Sequence, residues 1–449
     1  MLNIKFIREN KNLVKKSMEK RKDIEKTKWI DELLNLDEKW RSIKQEVDKL
    51  RHERNEVMHN QSQKHFVKQS DGRRLTEITP EYVERMRNLS KELEKIEEEM
   101  KSSEEKRKFY LMRIPNVLHE SVPYGKDSSE NVEIKKVGKI QKFNFELKPH
   151  GELAEKLNIA DFNRAAKISG TGFNYLKGDL ALLDLALQRF AVEFLVKKGY
   201  TLIYPPFMMN KKAYEGVTDL ADFENVMYKI ENEDFYMIAT SEHPMVAMYM
   251  NEVLDEKDLP TKFCGISTCF RKEIGSHGVD TRGLFRMHQF NKIEQVIICK
   301  PEESWKLHEE LQKNSEEMMK QLGIPFRVVN ICTGDIGIVA AKKYDIEAWF
   351  PRSKTYMEVG SNSNCTSYQA VRLNIRYQKG EEREYVHTLN NTGIATSRIM
   401  VAILENYQQK DGSVKIPKVL QKYMNGKKLI GKPEKKVGKK KIKKPSKKR

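Results

Sequence analysis

The hydrophobic positions between residues 33 and 110 fall into two long stripes separated by a polar segment. In each stripe most of them recur at alternating spacings of three and four residues, the pattern of a coiled-coil seam, which Arg54 interrupts in the first stripe. The polar segment contains Asp71-Gly72, a typical turn. We therefore predict an arm of two antiparallel helices of ~35–40 residues, roughly 55–60 Å long. The seam positions are Leu33, Leu36, Trp40, Ile43, Val47, Leu50 and Val57, followed by Tyr82, Met86, Leu89, Leu93, Ile96, Met100 and Tyr110.

After the arm the pattern changes to helices that alternate with short apolar strands. Pro115 disfavours a helical residue before it and should end the second arm helix. Helices are predicted at 180–198, 302–322 and 396–407, with an apolar strand at 326–332. Sequential hairpins favour an α+β fold with a mainly antiparallel sheet flanked by helices. The predicted units are an arm at 1–115, a linker at 116–150, a large domain at 151–426 and a disordered tail at 427–449.

Composition adds a candidate partner and a compartment. The 449 residues carry a formal net charge of +18, which favours a polyanionic partner, but twelve of those charges lie in the Lys-rich tail. The five cysteines form no C-x-x-C pair, which is typical of free thiols in a reducing compartment. No apolar run has signal length or approaches the ~20 residues that span a bilayer. We expect a cytoplasmic protein without a membrane partner.

The candidate chemistry lies between Phe270 and Glu294, where two apolar segments flank a glycine-rich loop. On the first predicted strand Arg271 and Glu273 share one face, and on the return strand Arg286 and Phe290 do the same. Guanidiniums fork onto phosphate oxygens, and a ring opposite a guanidinium can sandwich a base. The set suits a nucleoside triphosphate. The alternative is a surface hairpin with ordinary salt bridges.

The same stretch resembles motif 2 of class II aminoacyl-tRNA synthetases, with FRKE before the loop and RMHQF after it. The loop is similar to that of seryl-tRNA synthetases of the archaeal and eukaryotic type. Residues 387–408 resemble motif 3 of that family, and residues 357–377 resemble the strand and turn before it. Thr240-Ser241-Glu242 is similar to the family's T-x-E tripeptide. These four blocks occur in the family's order, and the resemblance covers nearly the whole chain.

The resemblance implies that the chain activates serine with ATP as seryl-adenylate and transfers it to the 3′ end of tRNA(Ser), with tRNA(Sec) as a further candidate. It implies that the arm binds the long variable arm of the tRNA, although composition alone favours a solvated helical rod. The helix at 180–198 and the strand after it resemble motif 1, which implies a homodimer. From the residues alone they are a helix and an edge strand.

The resemblance also implies roles for individual residues. The catalytic residues are Arg271, Arg398 and Glu358. Mg²⁺ is expected on Glu358 and Ser361, whose oxygens suit it. The serine site is expected at Thr240, Glu242, Arg271, Glu294, Asn390 and Thr392. The ATP site is expected at Arg271, Lys272, Glu273, Arg286, Met287, His288, Gln289, Phe290, Glu358, Val359, Gly360, Ser361 and Arg398.

Zinc is not expected, because a threonine, Thr240, begins the serine-site tripeptide and no matched cysteine set occurs. Two other functions remain open at this point. One is a catalytically silent relative that binds RNA through its arm, against which the intact arginine and carboxylate set argues. The other is a ligase that loads an amino acid onto a carrier protein, but such relatives lack the long arm.

Overall fold

The structure, a computed structural model, describes residues 1–64, 66–68, 74–76, 79–220, 224–273 and 283–431. Its helices are α1 (Ile4–Glu9), α2 (Lys11–Lys20), α3 (Ile24–Lys64), α4 (Pro80–Arg113), α5 (His150–Lys156), α6 (Phe162–Ser169), α7 (Gly178–Lys197), α8 (Lys211–Val217), α9 (Glu242–Ala247), α10 (Ser304–Leu322), α11 (Tyr368–Leu373) and α12 (Thr396–Asn406). The strands that carry the fold follow with each sheet.

The arm consists of α3 and α4, which run antiparallel over 41 and 34 residues. Apolar side chains at predicted seam positions pack between them, with Ile43, Val47 and Leu93 buried. Thr79 caps α4, since its side chain accepts from the backbone N–H of Tyr82. The predicted helical hairpin is therefore confirmed, although α3 begins earlier than its seam. Between the helices β1 (Phe66–Lys68) pairs with β2 (Arg74–Thr76), and the predicted turn at 71–72 lies outside the described residues.

The large domain is built on an eight-stranded sheet in the order β3-β12-β13-β14-β17-β11-β10-β6. Neighbouring strands are antiparallel except for β6 and β10, which confirms the predicted α+β architecture. The strands are β3 (Val132–Val137), β6 (Thr201–Ile203), β10 (Thr261–Phe270), β11 (Gln289–Cys299), β12 (Phe326–Asn330), β13 (Lys342–Phe350), β14 (Thr355–Asn364) and β17 (His387–Ala395).

Shorter strands form four small two- or three-stranded units around this sheet. They are β4 (Ala160–Asp161) with β5 (Tyr175–Leu176), β7 (Met208–Asn210) with β8 (Phe235–Met237), β9 (Val253–Asp255) with β15 (Arg376–Lys379) and β16 (Glu382–Tyr385), and β18 (Val414–Lys415) with β19 (Leu429–Ile430). Two large apolar clusters pack on the sheet, and a third joins α1–α4 to Tyr368 of α11. The five cysteines are buried and free. Among the described helices, none is long and apolar enough to cross a bilayer.

Two predicted boundaries differ from the structure. The linker at 116–150 contains β3, which pairs with β12 and so forms one edge of the large sheet. The predicted tail begins too early, because Lys427 lies 2.8 Å from Asp179 and β19 pairs with β18. Residues 432–449, the rest of that tail, lie outside the described residues.

A buried carboxylate holds the base of the arm together. Asp37 on α3 is 1% exposed. Its Oδ1 lies 2.9 Å from Nη1 of Arg107 on α4, and its Oδ2 lies 3.4 Å from Arg8 and 3.2 Å from Arg41. Arg107 also stacks on the ring of Trp40, at 3.9 Å from the centroid. Three guanidiniums from three helices therefore depend on one carboxylate.

Replacing Asp37 with alanine should destabilise the helical region by about 3–5 kcal/mol, because the largely buried guanidinium of Arg107 would lose its counter-charge. The matched control is Asp48→Ala, which removes an exposed i,i+4 partner of Lys44 on the same helix and should change stability by less than about 0.5 kcal/mol. Urea unfolding followed by helical circular dichroism measures both. Equal midpoints for the two variants would contradict this account of the arm base.

Candidate active site

Two adjoining cavities open where β10, β11, β14 and β17 meet. The first, here called the arginine cavity, has about 530 Å³ including space open to solvent and is lined by Arg271, Arg286 and Arg398 among others. The second, the carboxylate cavity, has about 1480 Å³ including space open to solvent and is lined by Glu242 and Glu294. Both cavities share one set of lining residues and therefore form a continuous site. The shared residues are Arg271, Glu273, Lys292, Glu358 and Ser361.

The chain leaves the sheet at the end of β10 and turns into the site. Strand β10 stops at Phe270, so the prediction that Arg271 and Glu273 share a strand face is wrong. Glu273 instead has a φ of 44°, a left-handed conformation that is uncommon for a residue with a Cβ and is often found at functional sites. The side chain of Arg271 donates through Nε and Nη2 to the carbonyl of Ala239, at 3.3 Å each. This turn places both side chains at the junction of the cavities.

The return segment also differs from the prediction. Arg286 lies in a bend before β11, which begins at Gln289, so Arg286 and Phe290 do not share a strand. They still line the same cavity. The guanidinium of Arg271 lies 5.3 Å from the ring centroid of Phe290, which is a direct cation–π contact. The glycine-rich part of the predicted loop, residues 274–282, lies outside the described residues.

Three residues of the predicted ATP site lie beside the two cavities and do not line them. The N–H of Lys272 donates to a backbone carbonyl, and Gln289 lines a separate neighbouring pocket. The Nδ1 of His288 lies 2.6 Å from the hydroxyl of Tyr228, and the backbone N–H of His288 donates to the carbonyl of Gly172. A Cβ at Gly172 would lie 2.2 Å from the His288 ring, so only glycine fits there. His288 therefore supports the wall of the site.

Arg398 stands at the start of α12 and faces Glu358 on β14. Its Nη1 donates to the Glu358 carbonyl at 3.0 Å and lies 3.4 Å from Oε2 of the same residue. Burial opposes ionisation of Glu358, but Arg398, Lys343 and Arg271 outweigh it and lower the pKa of the carboxyl. Val359 and Gly360 follow on the same cavity wall. The helix N-terminus and the arginines together give this end of the site a positive field.

The carboxylate cavity brings two acidic side chains together. Glu294 on β11 is 1% exposed, and Glu242 begins α9 beside it. Burial and then repulsion from Glu294 raise the pKa of Glu242 to about 7, and burial raises the pKa of Glu294. Lys292 partly neutralises the pair, since its Nζ lies 2.7 Å from Glu294 Oε2. The cavity is therefore short of positive charge and suited to a cationic group.

The hydroxyl and amide groups predicted for serine surround this pair. The Thr240 side chain accepts from the Glu242 N–H at 3.2 Å. The Thr392 side chain is hydrogen-bonded to Glu294 and helps to keep that carboxyl ionised. Asn390 lines the carboxylate cavity, and its Nδ2 lies 3.7 Å from the Cys365 thiol. A bulge interrupts the strand pairing beside each of two site carboxylates, at Gly393 opposite Glu294 and at Val359 next to Glu358.

Sequence reasoning missed several residues of the site. Lys292 lies two positions before Glu294 on one strand, so their shared face could have been inferred from the spacing. Gln369 on α11 donates to Glu242 at 2.9 Å, and the irregular loop 337–340 forms one wall of the carboxylate cavity. Nothing in the local sequence connects those residues to Glu242, because the contacts depend on tertiary packing.

The site offers few metal ligands. Within the described ranges, no group of three or more His, Cys, Asp and Glu could hold a metal ion. Glu358 and Ser361 line both cavities and supply oxygen ligands. Mg²⁺ commonly takes only one or two carboxylates from a protein and its other ligands from phosphates and water. The donor set therefore fits Mg²⁺ in company with a phosphate group.

Two family models match separate parts of the chain. Residues 1–118 match the family model of the seryl-tRNA synthetase N-terminal domain. Residues 226–407 match the model of the class II tRNA synthetase core domain of the G, H, P, S and T enzymes. The first match contains the arm and the second contains the strands that line both cavities.

Similar proteins cover almost the full chain. The serine–tRNA ligase of Methanocella arvoryzae is 56% identical over 429 residues, which is 95% of this chain and 99% of the relative. The crystal structure of seryl-tRNA synthetase from Pyrococcus horikoshii complexed with ATP is 48% identical with a TM-score of 0.86, over 96% of this chain and 99% of that one. The cytoplasmic enzyme of Naegleria fowleri in complex with AMP is 37% identical with a TM-score of 0.81, over 96% and 98%. On this evidence the chain belongs to the seryl-tRNA synthetases, a family of class II aminoacyl-tRNA synthetases.

Proposed function

We propose that the arginine cavity binds ATP, that the carboxylate cavity binds serine, and that their junction forms seryl-adenylate before transfer to tRNA. The observation that carries this division is the opposite polarity of two cavities that share Arg271, Glu273 and Glu358. An anion and a cation can then meet at the shared residues. Catalysis of this kind requires positioning and neutralisation of charge and no nucleophilic side chain.

The serine end follows from the carboxylate pair. An ammonium group beside Glu242 and Glu294 would replace the missing counter-charge and favour the ionised form of both. Asn390 and Thr392 offer amide and hydroxyl groups near that position, suited to the serine side chain. A site that hydrogen-bonds a substrate hydroxyl can reject an analogue without it by about 10⁴ or more. Alanine, which lacks the hydroxyl, would therefore be rejected because it leaves these polar groups unpaired.

At the junction, the serine carboxylate would attack the α-phosphorus of ATP, forming the acyl–phosphate bond as the bond to pyrophosphate breaks. Arg271 lies between the cavities and would neutralise the α-phosphate and orient the carboxylate. Arg286 and Arg398 lie farther along the arginine cavity and suit the terminal phosphates. Glu273 would accept from the adenine amino group, and Phe290 would pack against the base.

Glu358 and Ser361 would hold Mg²⁺ in this arrangement. When bound, the ion supplies positive charge to the phosphate oxygens as pyrophosphate departs. The chain itself contributes the ionised state of Glu358, which the neighbouring arginines and Lys343 maintain. Lys343 also lies 3.3 Å from Asp345, two residues farther along the same strand β13, so its position is fixed before any ligand arrives.

The arm would bind tRNA(Ser), and by the same contacts tRNA(Sec), through its outward basic side chains. Shape and backbone recognition suits a helical rod without a groove-reading element. A homodimer would use the face of α7 and β6, which leaves large apolar side chains exposed in one region: Leu185, Val196, Leu202 and Tyr204. The five free buried thiols fit the reducing cytoplasm.

Arg398→Ala should lower serine-dependent ATP–pyrophosphate exchange by about 10²–10³-fold, because it removes a donor aimed at developing phosphate charge. Arg271→Ala should do the same. Arg383→Ala, on the exposed β15–β16 hairpin, is the matched control and should exchange normally. Wild-type rates in the Arg398 and Arg271 variants would show that the arginine cavity does not bind the triphosphate.

The KM for serine should rise about tenfold per pH unit below about pH 7, because protonated Glu242 cannot pair with an ammonium. Glu242→Gln should bind serine poorly at every pH and show a flat profile. It should also be more resistant to heat than wild type at pH 8. The pKa of Glu242 is about 7 in the folded protein and 4.5 without the influence of the fold. Ionisation of Glu242 therefore lowers the free energy of unfolding as the pH rises between these two values.

Pyrophosphate exchange and thermal unfolding between about pH 5.5 and 8.5 test both expectations. The KM for ATP is the internal control and should not follow the same profile. A serine KM that stays constant across this range in wild type would remove Glu242 from the ammonium site. A Glu242→Gln variant that is less stable than wild type at pH 8 would contradict the electrostatic account.

Removing residues 46–95 and joining Gln45 to Ile96 through a short glycine linker should spare seryl-adenylate formation and abolish tRNA charging. The shortened arm keeps its base, including the contact of Lys39 with Glu99 at 2.8 Å and that of Asp37 with Arg107. Pyrophosphate exchange and aminoacylation of tRNA(Ser) are measured on the same preparation. Normal aminoacylation would reduce the arm to a structural rod.

A further inference from the structure

The loop that forms one wall of the carboxylate cavity is held by the N-terminal part of the chain. Residues 331–341 connect β12 to β13 without a helix or strand, and residues 337–340 of this loop line the cavity. Six successive carbonyls accept hydrogen bonds from residues before position 120. Arg21 donates to Ile336, Gly337 and Ala340, Asn116 donates to Ile338 and Val339, and the N–H of His119 donates to Ala341.

Arg21 is the main clamp in this arrangement. It follows α2, and its two terminal nitrogens reach the three loop carbonyls at 3.0, 3.3 and 3.5 Å and the Asn116 carbonyl at 3.2 Å. Burial lowers the pKa of Arg21 to about 10. Burying a guanidinium without a carboxylate partner costs free energy. We therefore infer that Arg21 serves to hold the loop in place and not to stabilise the fold.

Asn116 extends the clamp to the opposite wall. It is 2% exposed. Its Nδ2 donates to the carbonyl of Cys365 at 2.8 Å, and the Cys365 side chain lines the same cavity beside Asn390. The next residue, Thr366, has a φ of 47° and accepts from Asn116 at 3.0 Å. The side-chain amide of Asn116 therefore bonds to two walls of the carboxylate cavity. Arg21 in turn donates to the backbone carbonyl of Asn116.

We propose that Arg21 is a positioning residue of the serine pocket, acting through the carbonyls of residues 336–340 to set the affinity for the amino acid. The proposal rests on the assignment of serine to the carboxylate cavity. It concerns serine alone, because the loop lines the carboxylate cavity and is absent from the lining of the arginine cavity. The N-terminal region would thus affect serine binding even when no tRNA is bound.

The test is Arg21→Met, which keeps the length of the side chain and removes its donors. In serine-dependent pyrophosphate exchange without tRNA, we expect the KM for serine to rise by roughly tenfold, in line with lost bonds from a charged donor, while the KM for ATP stays within about twofold. A purely structural defect lowers the active fraction and hence the apparent kcat, but it does not separate the two KM values.

Two controls separate the clamp from general destabilisation. Lys16→Met alters an exposed cation of the same helix, and Arg107→Met weakens the arm base without touching the loop; neither should change the KM for serine. Arg21→Lys keeps the charge and part of the bonding, so its KM should lie between those of wild type and Arg21→Met.

The proposal is overturned if Arg21→Met leaves the KM for serine unchanged, or raises both KM values equally. If only the lysine variant folds, an unchanged KM for serine in that variant overturns it as well. Failure of the proposed function looks different, because wild type would then show no serine-dependent exchange at all.

Discussion

Two carboxylates that repel each other in an enclosed space determine which ligand this active site can bind. Glu242 and Glu294 are brought together by different elements, the first turn of α9 and the middle of β11. Folding alone does not satisfy them, since Lys292 pairs with only one. The unsatisfied charge weakens the free protein and strengthens its interaction with a cation. Binding energy for the substrate is thus stored in the fold before the substrate arrives.

The neighbouring features compensate for this constraint. Lys292 and Arg271 supply positive charge at the boundary of the cavities, and Gln369 gives Glu242 a neutral donor from α11. The eight-stranded sheet provides the rigidity, because each of these residues is attached to a strand or to a helix packed on it. Arg21 adds a further contribution, because its guanidinium donates to three backbone carbonyls of the loop that lines the carboxylate cavity.

Much of this could be predicted from the sequence, and the rest could not for physical reasons. The arm seam follows from local periodicity, which survives in the structure because each helix packs mainly on the other. The sequence pattern predicts Arg271 and Glu273 on a strand, but that strand ends at Phe270 in the structure. The left-handed turn at Glu273 could not be foreseen, because no glycine marks it. Arg21 carries no motif at all, and its three partners in the loop are separated from it by more than 300 residues.

The region before the large domain contains β3, which protects the edge of the sheet. Because β3 covers the outer side of β12, a fragment that begins at Gly151 would expose the backbone donors and acceptors of Phe326–Asn330. An uncovered edge strand is a template for strand addition between molecules, whereas β3, the outer strand of the complete sheet, carries the charged residues Glu133, Lys135 and Lys136. The segment that looks like a connector in the sequence is therefore a guard against self-association, and the catalytic domain cannot be separated from it without losing that protection.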